Sequence, residues 1–311
     1  MPEYNKGLAS RHNYFIAALF ANILWGFVAI VFRKIEYWPS DTIVYFRILI
    51  SFFLICLFIL LFRPAAVKRD WLWVQSLSLK QRNHMGILTV LSSVLMIGNW
   101  FSFIYAVNRI SIKSAAFAYL VCPLITALAG CVLLKEKLSP IKWMSLGLAL
   151  ISVLMLSRGS FTETVWSIVI ASFYAFYLII QRKFQDVDKL NFLAVQLAIC
   201  SLLIIPLMMF TESPIPDAVN FWVNISIIAG IFTVVPLFLS MFALSRITST
   251  TMGVLLYVNP VVAFAVAIFY FGERISIDQL FAYLLLVVAI ALYNSGIIKQ
   301  IFSSFVKRLT H

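Results

Sequence analysis

Charge is scarce in this chain. Asp, Glu, Lys and Arg make up 12% of 311 residues, where a soluble domain carries about 25%. Acids are the rarer sign, with 12 Asp and Glu against 24 Lys and Arg, and there are 3 His. All the acids and histidines fall in predicted connections or at helix ends, so none stands mid-membrane as the carboxylate carrier that proton-driven pumps use. Phosphate-binding glycine loops, metal-ligand clusters and Ser/His/Asp arrangements are also missing. These absences argue against ATP-driven transport by this chain and against enzymatic chemistry, and neither a cofactor nor a metal is expected. The 4 cysteines, Cys56, Cys122, Cys131 and Cys200, all lie in apolar runs, which gives no disulfide framework. The first apolar run is too long for a cleaved leader and lacks a small-residue cleavage site, so it is expected to remain as a helix.

What is present is apolar surface: 63% hydrophobic residues and a mean hydropathy of +1.00. The fold class that follows is an all-α polytopic membrane protein. A spanning helix needs about 20 mainly apolar residues. That rule predicts ten spans: Tyr14–Val31, Ile43–Phe62, Met85–Val107, Ser114–Leu134, Ile141–Leu156, Val165–Ile180, Phe192–Phe210, Phe221–Leu244, Thr251–Phe271 and Ile277–Ile298. The longest connection, Arg63 to Asn83, is basic and carries Trp71 and Trp73, which suits an amphipathic interfacial segment.

The formal net charge of +12 does not point to nucleic acid, because the basic residues sit in short connections. With the N-terminus inside, only Arg33, Lys34, Arg109, Lys113, Arg158 and Arg274 fall outside, and Arg47 falls within a span. The positive-inside bias therefore predicts both termini in the cytoplasm.

A repeat organises the chain. Residues 109–139 run R-I-S-I-K-S-A-A-F-A-Y-L-V-C-P, an apolar stretch, then K-E-K-L-S; residues 246–276 run R-I-T-S-T-T-M-G-V-L-L-Y-V-N-P, an apolar stretch, then G-E-R-I-S. Arg109 and Arg246, Pro123 and Pro260, Glu136 and Glu273, and Ser139 and Ser276 are each 137 residues apart (246 less 109, for one). Earlier in each half the offset is 149, matching Arg33 and Lys34 with Arg182 and Lys183 (182 less 33). Two related units are expected, residues 1–158 and 159–311. Five spans per unit is an odd number, so the second unit enters the membrane from the opposite side. Inverted repeats of this kind are a transporter architecture.

Candidate functional residues cluster mid-span. Pro123 and Pro260 remove backbone hydrogen bonds inside spans four and nine and can kink them. They either serve packing or shape a central cavity, with Tyr119, Tyr257 and Asn259 as polar neighbours. Asn99 and Trp100 lie within span three, and Pro236 stands 137 residues after Asn99. Asn99 is either an interhelical hydrogen-bonding residue or a substrate contact. Trp25 in span one and Tyr174 and Tyr177 in span six hold equivalent places in the two halves, where aromatic walls suit an organic substrate. Arg47 is the one strong charge within a span; it either snorkels to the interface or binds an anion. Glu136 and Glu273, beside Lys135, Lys137 and Arg274, are expected to be interfacial structural groups that mark topology.

Several segments carry a resemblance to a known family. They are N-I-L-W-G-F at 22–27, Y-F-R at 45–47, G-N-W at 98–100, A-V-N at 106–108, G-I-F-T-V-V-P-L at 230–237, Y-V-N-P at 257–260 and F-G-E-R at 271–274. Together they make the chain similar to the drug/metabolite transporter superfamily, EamA type, RarD-like branch. Cys122 stands where the second half has Asn259, so any polar contact there is one-sided. The resemblance implies a bacterial inner membrane, and a cavity lined by spans one, three, four, six, eight and nine.

The reading is a secondary transporter of a small organic metabolite, amino acid or drug, working by alternating access in export or exchange. Its expected partners are that small molecule and the lipid bilayer, and the expected assembly is a monomer. The alternatives are a membrane-embedded enzyme, which would need acids or histidines gathered at a membrane face, and a non-transporting membrane protein.

Overall fold

The computed structural model describes residues 2–106, 112–157, 161–184, 186–211, 215–272, 276–296 and 299. Among them every regular element is helical: α1 (Pro2–Phe32), α2 (Ser40–Phe62), α3 (Pro64–Ser76), α4 (Leu79–Tyr105), α5 (Ile112–Leu133), α6 (Pro140–Leu156), α7 (Phe161–Gln181), α8 (Lys189–Phe210), α9 (Val219–Ala229), a π-helical turn (Gly230–Val234), α10 (Val235–Leu244), α11 (Ser249–Leu255), α12 (Val258–Phe269) and α13 (Ile277–Tyr293). Among the described residues seven helical stretches are long and apolar enough to cross a membrane: His12–Phe32, Ser40–Phe62, Leu79–Phe103, Phe161–Gln181, Lys189–Phe210, Val219–Leu244 and Ser249–Phe269. Three shorter apolar helices accompany them, Phe117–Leu133, Pro140–Leu156 and Ile277–Tyr293. The protein is a polytopic α-helical membrane protein.

Helix starts follow from capping chemistry. Ser78 and Gln81 form a capping box at α4, and Ser276 and Gln279 form one at α13; each satisfies two amides that the first turn leaves open. Asp188 caps α8 by accepting from Leu190 and Asn191, and Thr248 caps α11 by accepting from Thr251. The box at Ser78 explains why α4 begins six residues before the predicted Met85. The predicted interfacial segment is the separate helix α3, which starts with Pro64 in the first turn, where its missing N–H costs nothing.

Packing pairs the halves. α1 lies against α10 and α12, and α7 lies against α4 and α5, while α2 meets α8, α6 meets α13 and α11 meets α5. Small residues permit the closest of these contacts. Gly26 of α1 faces Val262 and the Asn259 carbonyl of α12, where a Cβ would stand 2.5 Å from Val262 Cβ. Gly253 of α11 packs on the Pro123 carbonyl of α5, 3.1 Å from a built Cβ.

Two spans are interrupted. The stretch Val219–Leu244 contains the π turn, which leaves carbonyls without their usual helical donors. Thr233 Oγ1 donates to Ile228 O at 2.8 Å, Ser51 Oγ to Ala229 O at 3.2 Å and Trp25 Nε1 to Phe232 O at 3.1 Å. The stretch Ser249–Phe269 breaks at Leu256 and Tyr257, between α11 and α12. Pro260 therefore lies in the first turn of α12 rather than mid-helix, whereas Pro123 is inside α5. Pro236 opens α10 directly after the π turn.

Polar bonds tie each end of the bundle. At one end Arg63 pairs with Asp188 at 2.9 Å, and Asp70 accepts from the Asp188 amide and from Asn191 Nδ2. Arg182 Nη1 at the same end donates to Leu244 O at 2.8 Å. At the other, Trp38 stacks edge-on against Phe221, and the Arg33 guanidinium lies 4.0 Å over the Phe271 ring.

Candidate functional site

The side chains singled out in the sequence meet where α1, α2, α4, α5 and α7 converge. Arg47 is seven residues into α2, about 10 Å along its axis at 1.5 Å per residue. It does not reach back toward the helix end. Its guanidinium lies 4.6 Å over the ring of buried Trp100, and the phenols of Tyr119 and Tyr174 are near enough to feel its charge. Arg47 Nε is buried without a hydrogen-bond partner. Ion pairs join Arg63 and Arg69 to Asp188 and Arg69 to Asp70 at the end of the bundle, and among the described residues none gives Arg47 a carboxylate.

Aromatic rings continue from this point. Tyr174 stacks on Tyr177 at 5.7 Å and receives the edge of Trp25 at 6.1 Å. Tyr119 meets Phe103 at 5.7 Å. Tyr119 keeps 36% of its surface accessible, with Arg47 and Cys122 among its neighbours. Trp25, Arg47 and Tyr174 are half-buried beside it. The hydroxyls of Tyr174, Tyr177 and Tyr257 are buried and have no partner. The group thus offers one cation, several ring faces and unengaged donors, without an acid.

The remaining candidates lie around this group. Asn99 is buried and donates through Nδ2 to Ile170 O of α7 at 2.9 Å, which ties α4 to α7. Tyr257 is fully buried at the break before α12, close to Cys122. Asn259 is half-buried, and its carbonyl faces Gly26. Phe103 was not singled out from the sequence, since one phenylalanine among 28 carries no signal. A separate cavity of about 300 Å³ lies away from these residues, lined by Trp73, His84, Lys183 and Asp186 among others.

Glu136 plays a part that the sequence did not suggest. Its carboxylate leaves Lys135 and Lys137 and crosses to the second half. There Oε1 accepts the Ser249 amide at 2.7 Å and Oε2 the Thr250 amide at 2.8 Å. Those amides begin α11, where a helix offers unpaired donors and partial positive charge. Burial holds the nearby Arg182 guanidinium below its ordinary value; Glu136 partly offsets this and Arg246 adds to it. Glu273, the repeat partner of Glu136, lies outside the described residues, as do Arg109, Arg158 and Arg274.

Residues 13–158 and 162–295 each match the EamA-like transporter family. The chain belongs to that family. It is 28% identical over 281 residues to Protein RarD of Salmonella typhimurium, covering 89% of this chain and 93% of that one. Protein RarD of Escherichia coli is 26% identical over 284 residues, with 89% and 92% covered. An uncharacterized transporter of Pseudomonas aeruginosa is 27% identical over 299 residues, with 92% and 94% covered. A crystal structure with 16% identity shares the fold at a TM-score of 0.75, covering 92% of this chain and 98% of that one. The expected resemblance to the EamA type and its RarD-like branch therefore holds.

Proposed function

We propose that this EamA-family protein is a secondary transporter that moves a small organic metabolite, amino acid or drug across a bacterial inner membrane by alternating access, in export or exchange. The observation that carries this is the aromatic group around Arg47, built at the junction of the halves and left with unengaged donors. Trp25, Trp100, Tyr119, Tyr174 and Tyr177 form the walls of the substrate cavity, and Asn99, Tyr257 and Asn259 complete it. Pro123, Pro236 and Pro260 shape the helices around it.

The same reading takes the chain as ten spans in two inverted units, 1–158 and 159–311, with both termini in the cytoplasm. The matched helix contacts support it, since α1 with α10 and α12 mirrors α7 with α4 and α5. Alternating access is then an exchange of shape between the units. Two measurements test the reading. Reporter fusions after residues 38, 159 and 311 should place those points outside, outside and inside. Counterflow of labelled solutes in proteoliposomes should depend on the protein, and Trp25→Ala or Tyr119→Ala should abolish it while folded protein is retained. Counterflow that both variants leave unchanged would remove the cavity from the transport path.

A further inference from the structure

We infer that the molecule carried is an organic monoanion, a carboxylate on a flat or apolar body, and that Arg47 takes its charge. This rests on the transport reading above and names the substrate class of the same cavity.

The argument starts from the cost of an unpaired charge. A guanidinium stays protonated in proteins, and one whose Nε is buried with no anion or acceptor beside it is costly. Arg47 has partial compensation only, from the Trp100 face at 4.6 Å and the neutral phenols of Tyr119 and Tyr174. Its Nε donor is unused, and so is the hydroxyl of the neighbouring Tyr174. A carboxylate supplies the missing charge and can accept from the guanidinium in the paired geometry that suits it. The rings then border the rest of the molecule.

The charge balance narrows the class. One cation neutralises one negative charge, so a phosphate monoester dianion would bring a second charge with no partner among the described residues. A zwitterion would bring an ammonium, and among the described residues no acid lies beside Arg47 to meet it. A neutral molecule would leave Arg47 as it is. A monoanion moved alone also carries current. An interior-negative potential drives it outward, with an equilibrium ratio of about 50-fold per 100 mV. Export then needs no proton-carrying carboxylate, in keeping with the lack of one in the spans.

The test uses the purified full-length protein. Binding of benzoate, phenylacetate and indole-3-acetate is measured by thermal shift and calorimetry beside their neutral amides, phenyl phosphate and phenylalanine. The carboxylates should bind about 10- to 100-fold more tightly than the amides, the size of a charge-assisted bond. Arg47→Gln should remove that preference and Arg47→Lys should keep part of it. In proteoliposomes, an imposed potassium diffusion potential should speed carboxylate efflux from the negative side. Equal binding of amides, tighter binding of phenylalanine or phenyl phosphate, or no binding of any carboxylate would each overturn the inference. The wild-type comparison decides even if Arg47→Gln does not fold. Flux of amides alone would overturn the inference and leave transport standing; carboxylate binding without any flux would overturn transport and leave only an anion site at Arg47.

Discussion

The edge of Trp25 meets the face of Tyr174, with ring centroids 6.1 Å apart and planes at 79°. The two residues are 149 positions apart, the offset that also matches Arg33 with Arg182. Each is thus the counterpart of the other in the repeat, and counterparts touch only where a two-fold axis passes between them. This contact supports the inverted arrangement proposed above, and it lies in the middle of the aromatic group.

The two rings should nevertheless respond differently to substitution. Trp25 donates to the Phe232 carbonyl, so Trp25→Phe should cost about 1 kcal/mol of stability, the net value of a lost hydrogen bond. The Tyr174 hydroxyl has no partner, so Tyr174→Phe should leave the melting temperature unchanged or slightly higher while slowing solute flux. Melting curves in detergent beside counterflow check both. A large drop in stability for Tyr174→Phe would mean that the hydroxyl is engaged after all.

The Glu136 clamp makes its own prediction. Glu136→Ala leaves two amides of α11 open and should cost about 2 kcal/mol, and Glu136→Gln should cost less because one oxygen remains. Hydrogen exchange at the Ser249 and Thr250 amides should speed up in the alanine variant. Unchanged exchange there would show that α11 does not depend on the carboxylate.

Glycine contacts give a contrast within one residue type. At Gly26 an added Cβ stands 2.5 Å from Val262 Cβ, whereas at Gly147 nothing lies within 4 Å. Gly26→Ala should destabilise by about 1–3 kcal/mol through overpacking. Gly147→Ala, inside α6, should stabilise by about 0.5–1 kcal/mol through helix propensity. Paired thermal melts that rank the two the other way would contradict the α1–α12 packing.

At the end where α3 lies, Asp188 caps α8 and pairs with Arg63, and Asp70 holds the Asp188 amide and Asn191. Asp188→Ala should cost about 1–2 kcal/mol from the cap, with Asp188→Asn closer to wild type. Limited proteolysis between Arg63 and Arg82 should quicken in Asp70→Ala, because α3 loses its tie to α8. Resistance equal to wild type would show α3 held by other contacts.

Much of the fold was legible because apolar length and a fixed repeat offset are one-dimensional signals. Among the described residues seven helical stretches are long and apolar enough to span a membrane and three shorter apolar helices accompany them, and Ser139 and Ser276 both stand as N-caps. What could not be read depended on contacts between distant segments. K-E-K-L-S gives no hint that Glu136 reaches Ser249, 113 residues on. Nor does Y-F-R show that the Arg47 guanidinium lies over the Trp100 ring of another helix, 53 residues on. The π turn and the break at Leu256 interrupt runs whose composition is uniformly apolar, so composition does not mark them.

The π turn at Gly230–Val234 holds one residue more than an α-helical turn would need, since its bonds run five residues apart rather than four. That surplus is slack in the chain. Removing one residue from it would let α9 and α10 join as a single regular helix with the facing of both flanks preserved. The same deletion elsewhere in this span would rotate everything beyond it by about 100° and turn buried Leu237 and Met241 away from their neighbours. Shortening at this point is therefore the one-residue deletion the span can absorb, at the expense of the carbonyl that Trp25 now holds.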